Sequence, residues 1–232
     1  MHEGEGRRIV SPDVRLSGGA KGMFDHIHHS ASELTTIQAL EHVLTDQQAL
    51  LVKELENDVL RCVKDQNGNH VIQKAIERVR PEHIQFIIQA FRGNVGALAA
   101  HTYGCRVIQR MLEYCGEPAR SFILEELHAE GPKLISDAYG NYVTQHIIEH
   151  GSPEDRAKVF ELVHAQLLVF SKHKFASNVV EKCLLYGTDE QRRMIMLKIV
   201  EKTDRPESTI LMLIKDSYGN YVLRKFTCFT SL

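Results

Sequence analysis

The feature that most constrains this chain is a seven-residue pattern that returns five times. The five segments are NGNHVIQ at 67–73, YGCRVIQ at 103–109, YGNYVTQ at 139–145, FASNVVE at 175–181 and YGNYVLR at 218–224. Their third residues follow one another at three steps of 36 residues and a last step of 43: Asn69, Cys105, Asn141, Ser177 and Asn220. Self-similarity at such a period predicts a solenoid, because one unit buries too little apolar surface alone and must stack on its neighbours.

Each unit has the apolar spacing of helices. In the first motif and just after it, Val71, Ile72 and Ala75 recur at helical spacing. Proline stands near the following break, where the first turn of a helix tolerates it: Pro81, Pro118 and Pro153. We therefore predict an all-α solenoid of about five repeats, with the extra residues of the last step near 202–208. The predicted repeats are 57–92, 93–128, 129–164, 165–200 and a truncated 201–232.

Three positions of each motif share one side of a helix. Counted from Asn69, the first and fifth positions lie about 40° apart and the second about 60° from the fifth. Each repeat thus offers two hydrogen-bonding side chains beside a planar or long one. The first and fifth positions are Asn69 and Gln73, Cys105 and Gln109, Asn141 and Gln145, Ser177 and Glu181, and Asn220 and Arg224. The second positions are His70, Arg106, Tyr142, Asn178 and Tyr221, four of which can stack on a nucleic-acid base.

From about residue 39 to 226 these segments resemble the repeats of the Pumilio/FBF (PUF) family. CVKDQNGNHVIQ (62–73), YGCRVIQR (103–110) and KFASNVVEKC (174–183) are similar to its fourth, fifth and seventh repeats, YGNYVTQHIIEHG (139–151) to the sixth and IKDSYGNYV (214–222) to the eighth. The resemblance implies the C-terminal part of a right-handed solenoid whose concave face binds single-stranded RNA. One base per repeat is the known rule of that family.

The resemblance also implies which base each repeat reads, and hydrogen-bond inventories agree with it. Uracil, with acceptors around N3–H, suits the paired amides: Asn69 with Gln73, and Asn141 with Gln145. Adenine suits Gln109 with the small Cys105 beside it, while guanine offers two adjacent donors to the carboxylate of Glu181 beside Ser177. Because the family binds RNA antiparallel, these four repeats imply 5′-GUAU-3′. Arg224 carries donors only, which favours cytosine at the preceding base.

A cation or histidine follows the fifth position of every motif: Lys74, Arg110, His146, Lys182 and Lys225. These side chains can contact phosphates, or they can simply keep the surface soluble, and the sequence leaves both interpretations open. Acidic residues gather in the second helical stretch of the repeats. That segregation reconciles RNA binding with a net charge of −2, which by itself argues against coating nucleic acid through bulk positive charge.

Both ends of the repeat array are irregular. Residues 35–56 are similar to the rear part of a preceding repeat, but Glu33, Leu34 and Ile37 stand where base-reading side chains are expected. Residues 1–34 are Gly-rich and polar, so we predict a poorly ordered segment. Four of its side chains suggest a metal site, although a polar tail is the favoured interpretation: Asp25, His26, His28 and His29.

Other function classes find little support. No apolar stretch approaches the roughly 20 residues that span a bilayer, and the N-terminus has no hydrophobic signal region. The cysteines form no CxxC pair, and their odd number argues against a disulfide framework: Cys62, Cys105, Cys115, Cys183 and Cys228. We therefore expect a cytoplasmic monomer without catalytic residues, metal or cofactor.

The expected function is sequence-specific binding of 5′-(U/C)GUAU-3′ in the 3′ untranslated regions of messenger RNA. By resemblance, repression or decay of the target follows through recruited deadenylation and translation-repression factors. Two alternatives stay open: a nucleolar-type PUF-like protein with loose RNA specificity, and an armadillo- or HEAT-like scaffold that binds proteins.

Overall fold

The computed structural model describes residues 30–201 and 207–227. Within these ranges all regular structure is helical, which confirms the predicted all-α class. None of the described helices is long and apolar enough to cross a membrane. The first helix begins at Ser30, inside the segment 1–34 that was predicted to be poorly ordered, and residues 1–29 lie outside the described residues. The suggested metal-binding residues, Asp25 to His29, lie outside the described residues.

The described helices, apart from a 3₁₀ turn at Pro81–His83, are numbered in chain order. They are α1 Ser30–His42, α2 Thr45–Lys53, α3 Val59–Lys64, α4 Gly68–Arg78, α5 Gln85–Ala90, α6 Val95–Ala99, α7 Gly104–Tyr114, α8 Ala119–Ala129, α9 Gly131–Ser136, α10 Gly140–His150, α11 Pro153–Ala165, α12 Leu167–Ser171, α13 Ala176–Tyr186, α14 Asp189–Val200, α15 Thr209–Lys215 and α16 Gly219–Thr227.

Each complete repeat contains three helices. A short helix (α3, α6, α9 or α12) comes first, then the helix that carries the motif, then an outer helix (α5, α8, α11 or α14). We call α4, α7, α10, α13 and α16 the reader helices. The apolar spacing predicts only the motif helix and one amphipathic helix per repeat. The short helix has no such signal, because it runs for five to seven residues and is too brief to show a helical period.

The reader helices form one layer of the solenoid. Each packs against the next, from α4 to α7, α10, α13 and α16, while α8, α11 and α14 contact one another in an outer layer. Helix α1 packs against α4 in the place of a further reader helix. The remnant predicted at 35–56 is therefore the end of that helix together with α2.

The third and fourth motif positions hold the layers together. Valine occupies the third position in all five reader helices and is fully buried: Val71, Val107, Val143, Val179 and Val222. Burying a side chain of this size stabilises the fold by about 1.5–3 kcal/mol. At the fourth position the third repeat has Thr144, whose hydroxyl donates to the carbonyl of Gly140 at 3.2 Å, so its polar atom is satisfied.

Reader helices begin very close to the short helix before them. A Cβ on Gly104 would lie 2.6 Å from the carbonyl oxygen of Leu98, and one on Gly68 would lie 2.8 Å from that of Cys62. Contacts below 3 Å with backbone atoms require a shift of one helix. Glycine at the first turn therefore allows the reader helix to pack closely against the short helix, which fixes the position of the first motif residue relative to that helix.

Candidate nucleic-acid interface

The first four motifs present the same order of exposure along one face of the reader layer. In the first four repeats the first position is buried, the second is exposed, and the fifth is half-buried. This agrees with the helix faces predicted from a rotation of 100° per residue. In the last repeat Asn220 and Arg224 are exposed as well. The reader layer thus forms a row of half-buried polar side chains between exposed planar or long ones.

An Asp or His four residues before each first position caps the reader helix. Asp65 Oδ1 accepts hydrogen bonds from the backbone N–H groups of Asn67 (2.9 Å) and Gly68 (2.7 Å). Asp137 and Asp216 do the same before α10 and α16. In the second and fourth repeats the acceptor is a histidine Nδ1. That of His101, for example, lies 3.2 Å from the N–H of Tyr103. These contacts satisfy N–H groups that the start of a helix leaves without partners.

The asparagines at the first position are anchored to the backbone. Asn69 is 1% exposed; its Nδ2 donates to the carbonyls of Asp65 (2.9 Å) and Gln66 (2.6 Å), and its Oδ1 accepts from Gln73 Nε2 at 2.9 Å. Asn141 repeats this arrangement. A base-edge contact by either asparagine stays a prediction. In the structure, each asparagine orients the glutamine at the fifth position.

Each glutamine at the fifth position is therefore held by one of its N–H groups. Gln73 and Gln145 donate to the first-position asparagine, and Gln109 donates to the carbonyl of Cys105 at 3.2 Å. The other N–H and Oε1 make no further hydrogen bond within the described protein. One donor and one acceptor thus remain side by side on a side chain that is already oriented.

Glu181 differs from these glutamines. It is half-buried and accepts no hydrogen bond from any described residue, and Ser177 beside it is buried and donates to Lys174 instead. Burial raises the pKa of the Glu181 carboxyl, while Lys225 and Arg224 oppose that rise. A carboxylate that is partly desolvated yet unpaired is costly unless a partner arrives. Its two oxygens are suited to two adjacent donors.

The second positions stand clear of the surface. Tyr142 is 56% exposed and Tyr221 46%, and His70, Arg106 and Asn178 are exposed as well. In the last repeat the guanidinium of Arg224 lies 5.0 Å from the centre of the Tyr221 ring, so the two side chains already contact each other. Exposed aromatic rings and guanidinium groups of this kind are suited to stacking against bases.

The residues predicted to touch phosphates have mostly acquired carboxylate partners. Lys74 Nζ lies 2.8 Å from Glu41 Oε1, Arg110 Nε 3.0 Å from Glu77 Oε1, and His146 Nε2 2.9 Å from Glu113 Oε1. Lys182 pairs with Glu149. Among the five, only Lys225 has no carboxylate partner within the described residues. Phosphate contact stays a prediction for all of them. In the first four, a phosphate would have to compete with the carboxylate partner.

The carboxylates were missed in the sequence, although a signal was present. Each stands 33 residues before its partner: Glu41, Glu77, Glu113 and Glu149. The capping residues were also missed, because Asp and His alternate there and do not form a single residue pattern. Among the described residues no group of three or more His, Cys, Asp or Glu side chains could hold a metal ion.

Comparison with curated proteins finds two relatives of part of the chain. Pumilio homology domain family member 4 of Saccharomyces cerevisiae is 40% identical over 57 residues, which are 24% of this chain and 6% of that protein. Pumilio homolog 9 of Arabidopsis thaliana is 40% identical over 63 residues, 27% of this chain and 11% of that protein. The matched segments are thus a small part of both relatives.

Solved structures match almost the whole described chain. PUF-8 in complex with PBE-RNA superposes with a TM-score of 0.83 at 34% identity, covering 89% of this chain and 61% of that one. The Puf3 RNA binding domain bound to a Cox17 RNA 3′ UTR recognition sequence superposes with a TM-score of 0.81 at 39% identity, covering 88% and 64%. The chain therefore spans less than two thirds of these solenoids, whose fold it shares.

The sequence profile of the Pumilio-family RNA binding repeat matches five segments that together cover more than half of the chain. They are 58–90, 94–128, 132–164, 166–200 and 210–226. Each segment contains one of the five motifs. The predicted right-handed PUF solenoid is confirmed, and its repeats fit the C-terminal part of such a domain. This chain belongs to the Pumilio family of RNA-binding proteins.

Proposed function

We propose that this protein binds single-stranded RNA in a sequence-specific manner, with one base on each reader helix and a preference for 5′-(U/C)GUAU-3′. The observation that carries the proposal is the contrast between Glu181 and the glutamines. Three reader positions hold oriented amides with one free donor and one free acceptor. The fourth holds an unpartnered, half-buried carboxylate. Such a series is suited to different bases at successive positions, which a general nucleic-acid surface does not need.

Guanine is the base that suits Glu181. Its N1–H and N2–H are adjacent donors, and both can be satisfied by one carboxylate, whereas adenine, cytosine and uracil each place an acceptor against that carboxylate. Charge-assisted hydrogen bonds of this kind are stronger than neutral ones. The raised pKa of Glu181 is consistent with a group that is stabilised when the donors are in place.

Gln73, Gln109 and Gln145 are suited to uracil or adenine, because each has a free donor beside a free acceptor. The first position then decides between the two bases by size. Asn69 and Asn141 fill the space beside the glutamine and leave room for a pyrimidine, while Cys105 is smaller and leaves room for the larger adenine. The resulting order along the RNA, read antiparallel to the chain, is G, U, A, U.

The 5′ base meets Arg224 and Tyr221. Arg224 offers donors only, so it is suited to cytosine, whose N3 and O2 both accept, and it is unsuited to the N3–H of uracil. Its contact with Tyr221 holds the guanidinium beside the stacking surface. We therefore propose a preference for cytosine over uracil at this base.

The relatives support RNA as the ligand. PUF-8 is solved in complex with PBE-RNA, and the Puf3 domain with a recognition sequence from a 3′ UTR. We extend this to the present chain as a proposal: a cytoplasmic monomer that binds 3′ untranslated regions of messenger RNA and lowers their translation or lifetime through recruited deadenylation factors.

Fluorescence anisotropy with a labelled RNA containing 5′-UGUAU-3′, against the same RNA with 5′-UCUAU-3′, tests the proposal. We expect the guanine-to-cytosine change to weaken binding by roughly five- to 150-fold, since one bidentate base contact contributes about 1–3 kcal/mol of discrimination. Equal affinity for both RNAs would overturn sequence-specific reading. Absence of binding to either would favour a scaffold that binds proteins.

A further inference from the structure

A series of contacts between carboxylates and basic side chains crosses the reader layer from helix to helix, and we call it the rung series. Three rungs are ion pairs, and the one at His146 is a hydrogen bond at neutral pH, because burial lowers the pKa of that histidine. Each rung joins a glutamate near the end of one reader-layer helix to a cation or histidine of the next. The rungs are Glu41–Lys74, Glu77–Arg110, Glu113–His146 and Glu149–Lys182. Together they connect α1, α4, α7, α10 and α13.

Neighbouring rungs are themselves joined along the helices. Lys74 Nζ also lies 3.2 Å from Glu77 Oε2, and Arg110 Nη1 donates to Glu113 Oε2 at 2.6 Å. The result is a continuous run of alternating partners from Glu41 to His146. Its side chains are 9–35% exposed, so solvent screens them less than it screens fully exposed pairs.

Three of the rung glutamates stand one helical turn after a fifth-position reader. Glu77 follows Gln73 by four residues, or about 6 Å along the helix axis, and Glu113 and Glu149 follow Gln109 and Gln145 in the same way. Since the next helix contributes the partner, each of these three rungs ties two successive readers to each other. A shift of one reader helix against the next would have to break it.

The series ends at the one reader that is itself acidic. Leu185 stands four residues after Glu181, where the three preceding repeats have glutamate, and two like charges at that spacing would repel each other. Burial raises the pKa of Glu181, and the cation of the missing rung, Lys225, opposes that rise. A rung glutamate is thus absent where the reader one turn earlier is itself acidic. An ion pair that only stabilised the fold would not need to depend on the charge of the reader.

We infer that Glu77, Glu113 and Glu149 are positioning residues for base recognition: each sets the spacing of two neighbouring reader helices, and thereby the discrimination at the two bases that those helices read. The inference rests on the proposed one-base-per-helix binding. For Glu113 the two bases are the adenine at Gln109 and the uracil at Gln145. The guanine at Glu181 lies outside this pair, so its recognition is independent of Glu113.

The test compares Glu113→Leu with Glu161→Leu in the full chain. Leucine already occupies the equivalent position 185, and Glu161 is an exposed residue of the outer helix α11, so both variants lose the same charge. Binding is measured for 5′-UGUAU-3′ and for RNAs changed singly at the guanine, the central uracil or the adenine. Thermal unfolding of each variant without RNA checks that it is folded.

We expect Glu113→Leu to reduce discrimination at the adenine and central uracil by about two- to fivefold, the size typical of partly exposed ion pairs. Discrimination at guanine should persist, and Glu161→Leu should resemble the unchanged protein at all three bases. His146→Lys should keep the discrimination, because lysine makes the equivalent rungs at positions 74 and 182.

Two results would overturn the inference without touching the proposed function. One is full discrimination at all three bases in folded Glu113→Leu. The other is an equal loss at all three, guanine included, which would indicate a general effect on the fold. If the unchanged protein itself fails to discriminate among the RNAs, the proposed function fails first.

Discussion

Replacing Glu181 by glutamine should weaken guanine recognition without weakening the fold. The glutamine has nearly the same shape, but one of its two acceptor atoms becomes an N–H group that faces a guanine donor. Loss of a bidentate base contact costs about 1–3 kcal/mol, or roughly five- to 150-fold in affinity for the guanine RNA. An RNA with adenine or uracil at that position should bind equally well or better than before.

In the absence of RNA, the free energy of unfolding of Glu181→Gln should be higher than that of the unchanged protein or equal to it. Glu181 is half-buried without a hydrogen-bond partner, so its charge disfavours the folded state, and glutamine removes that charge. The pKa of Glu181 is raised on folding, and lowering the pH through it therefore relieves the unfavourable charge and stabilises the unchanged protein. The same protonation removes an acceptor for guanine, so the contributions of Glu181 to affinity and to stability should move in opposite directions as the pH falls.

Anisotropy titrations between pH 7.5 and pH 5, paired with chemical denaturation at the same pH values, measure both quantities. For Glu181→Gln the contribution of this site to either pH dependence should be gone, while Glu161→Leu should retain it. A variant that binds the guanine RNA as tightly as the unchanged protein would show that Glu181 is not a reader. A variant that loses affinity and stability together would show that the carboxylate acts in folding.

Three other changes test different parts of the interface. Arg224→Gln should shift the preference at the 5′ base from cytosine towards uracil, measured by competition between the two RNAs; an unchanged preference would contradict the role of Arg224. Asp137→Ala removes the cap of α10 and should lower the free energy of unfolding by about 1 kcal/mol in urea denaturation. Burial lowers the pKa of His101, whose Nδ1 must be unprotonated to accept a hydrogen bond from the backbone. The stability that this cap contributes is therefore present above the pKa of the histidine in the unfolded chain. It is lost as the pH falls through the lowered pKa of the folded state. His101→Asp should make the free energy of unfolding less dependent on pH between 7 and 5, and an unchanged slope would contradict this cap.

Several properties of the molecule follow from local geometry and could be predicted from the sequence. The period, the all-helical class and the exposed and buried faces of the reader helices depend on 100° of rotation per residue and on apolar spacing. Val71 and Ile72 are buried, and His70 is exposed, for this reason. Base preferences can be proposed at the same level, because they depend on which side chains carry donors and acceptors.

Other features depend on what a side chain meets after folding, and these required the tertiary structure. The start of α4 places two backbone carbonyls within reach of the Asn69 amide, which in turn orients Gln73, while base contact by Asn69 stays a prediction. Helix α1 supplies Glu41 to Lys74 from 33 residues away, while phosphate contact by Lys74 stays a prediction. The sequence shows both residues but not their partners: those of Asn69 depend on where α4 begins, and that of Lys74 lies one repeat away and is set only when the repeats stack.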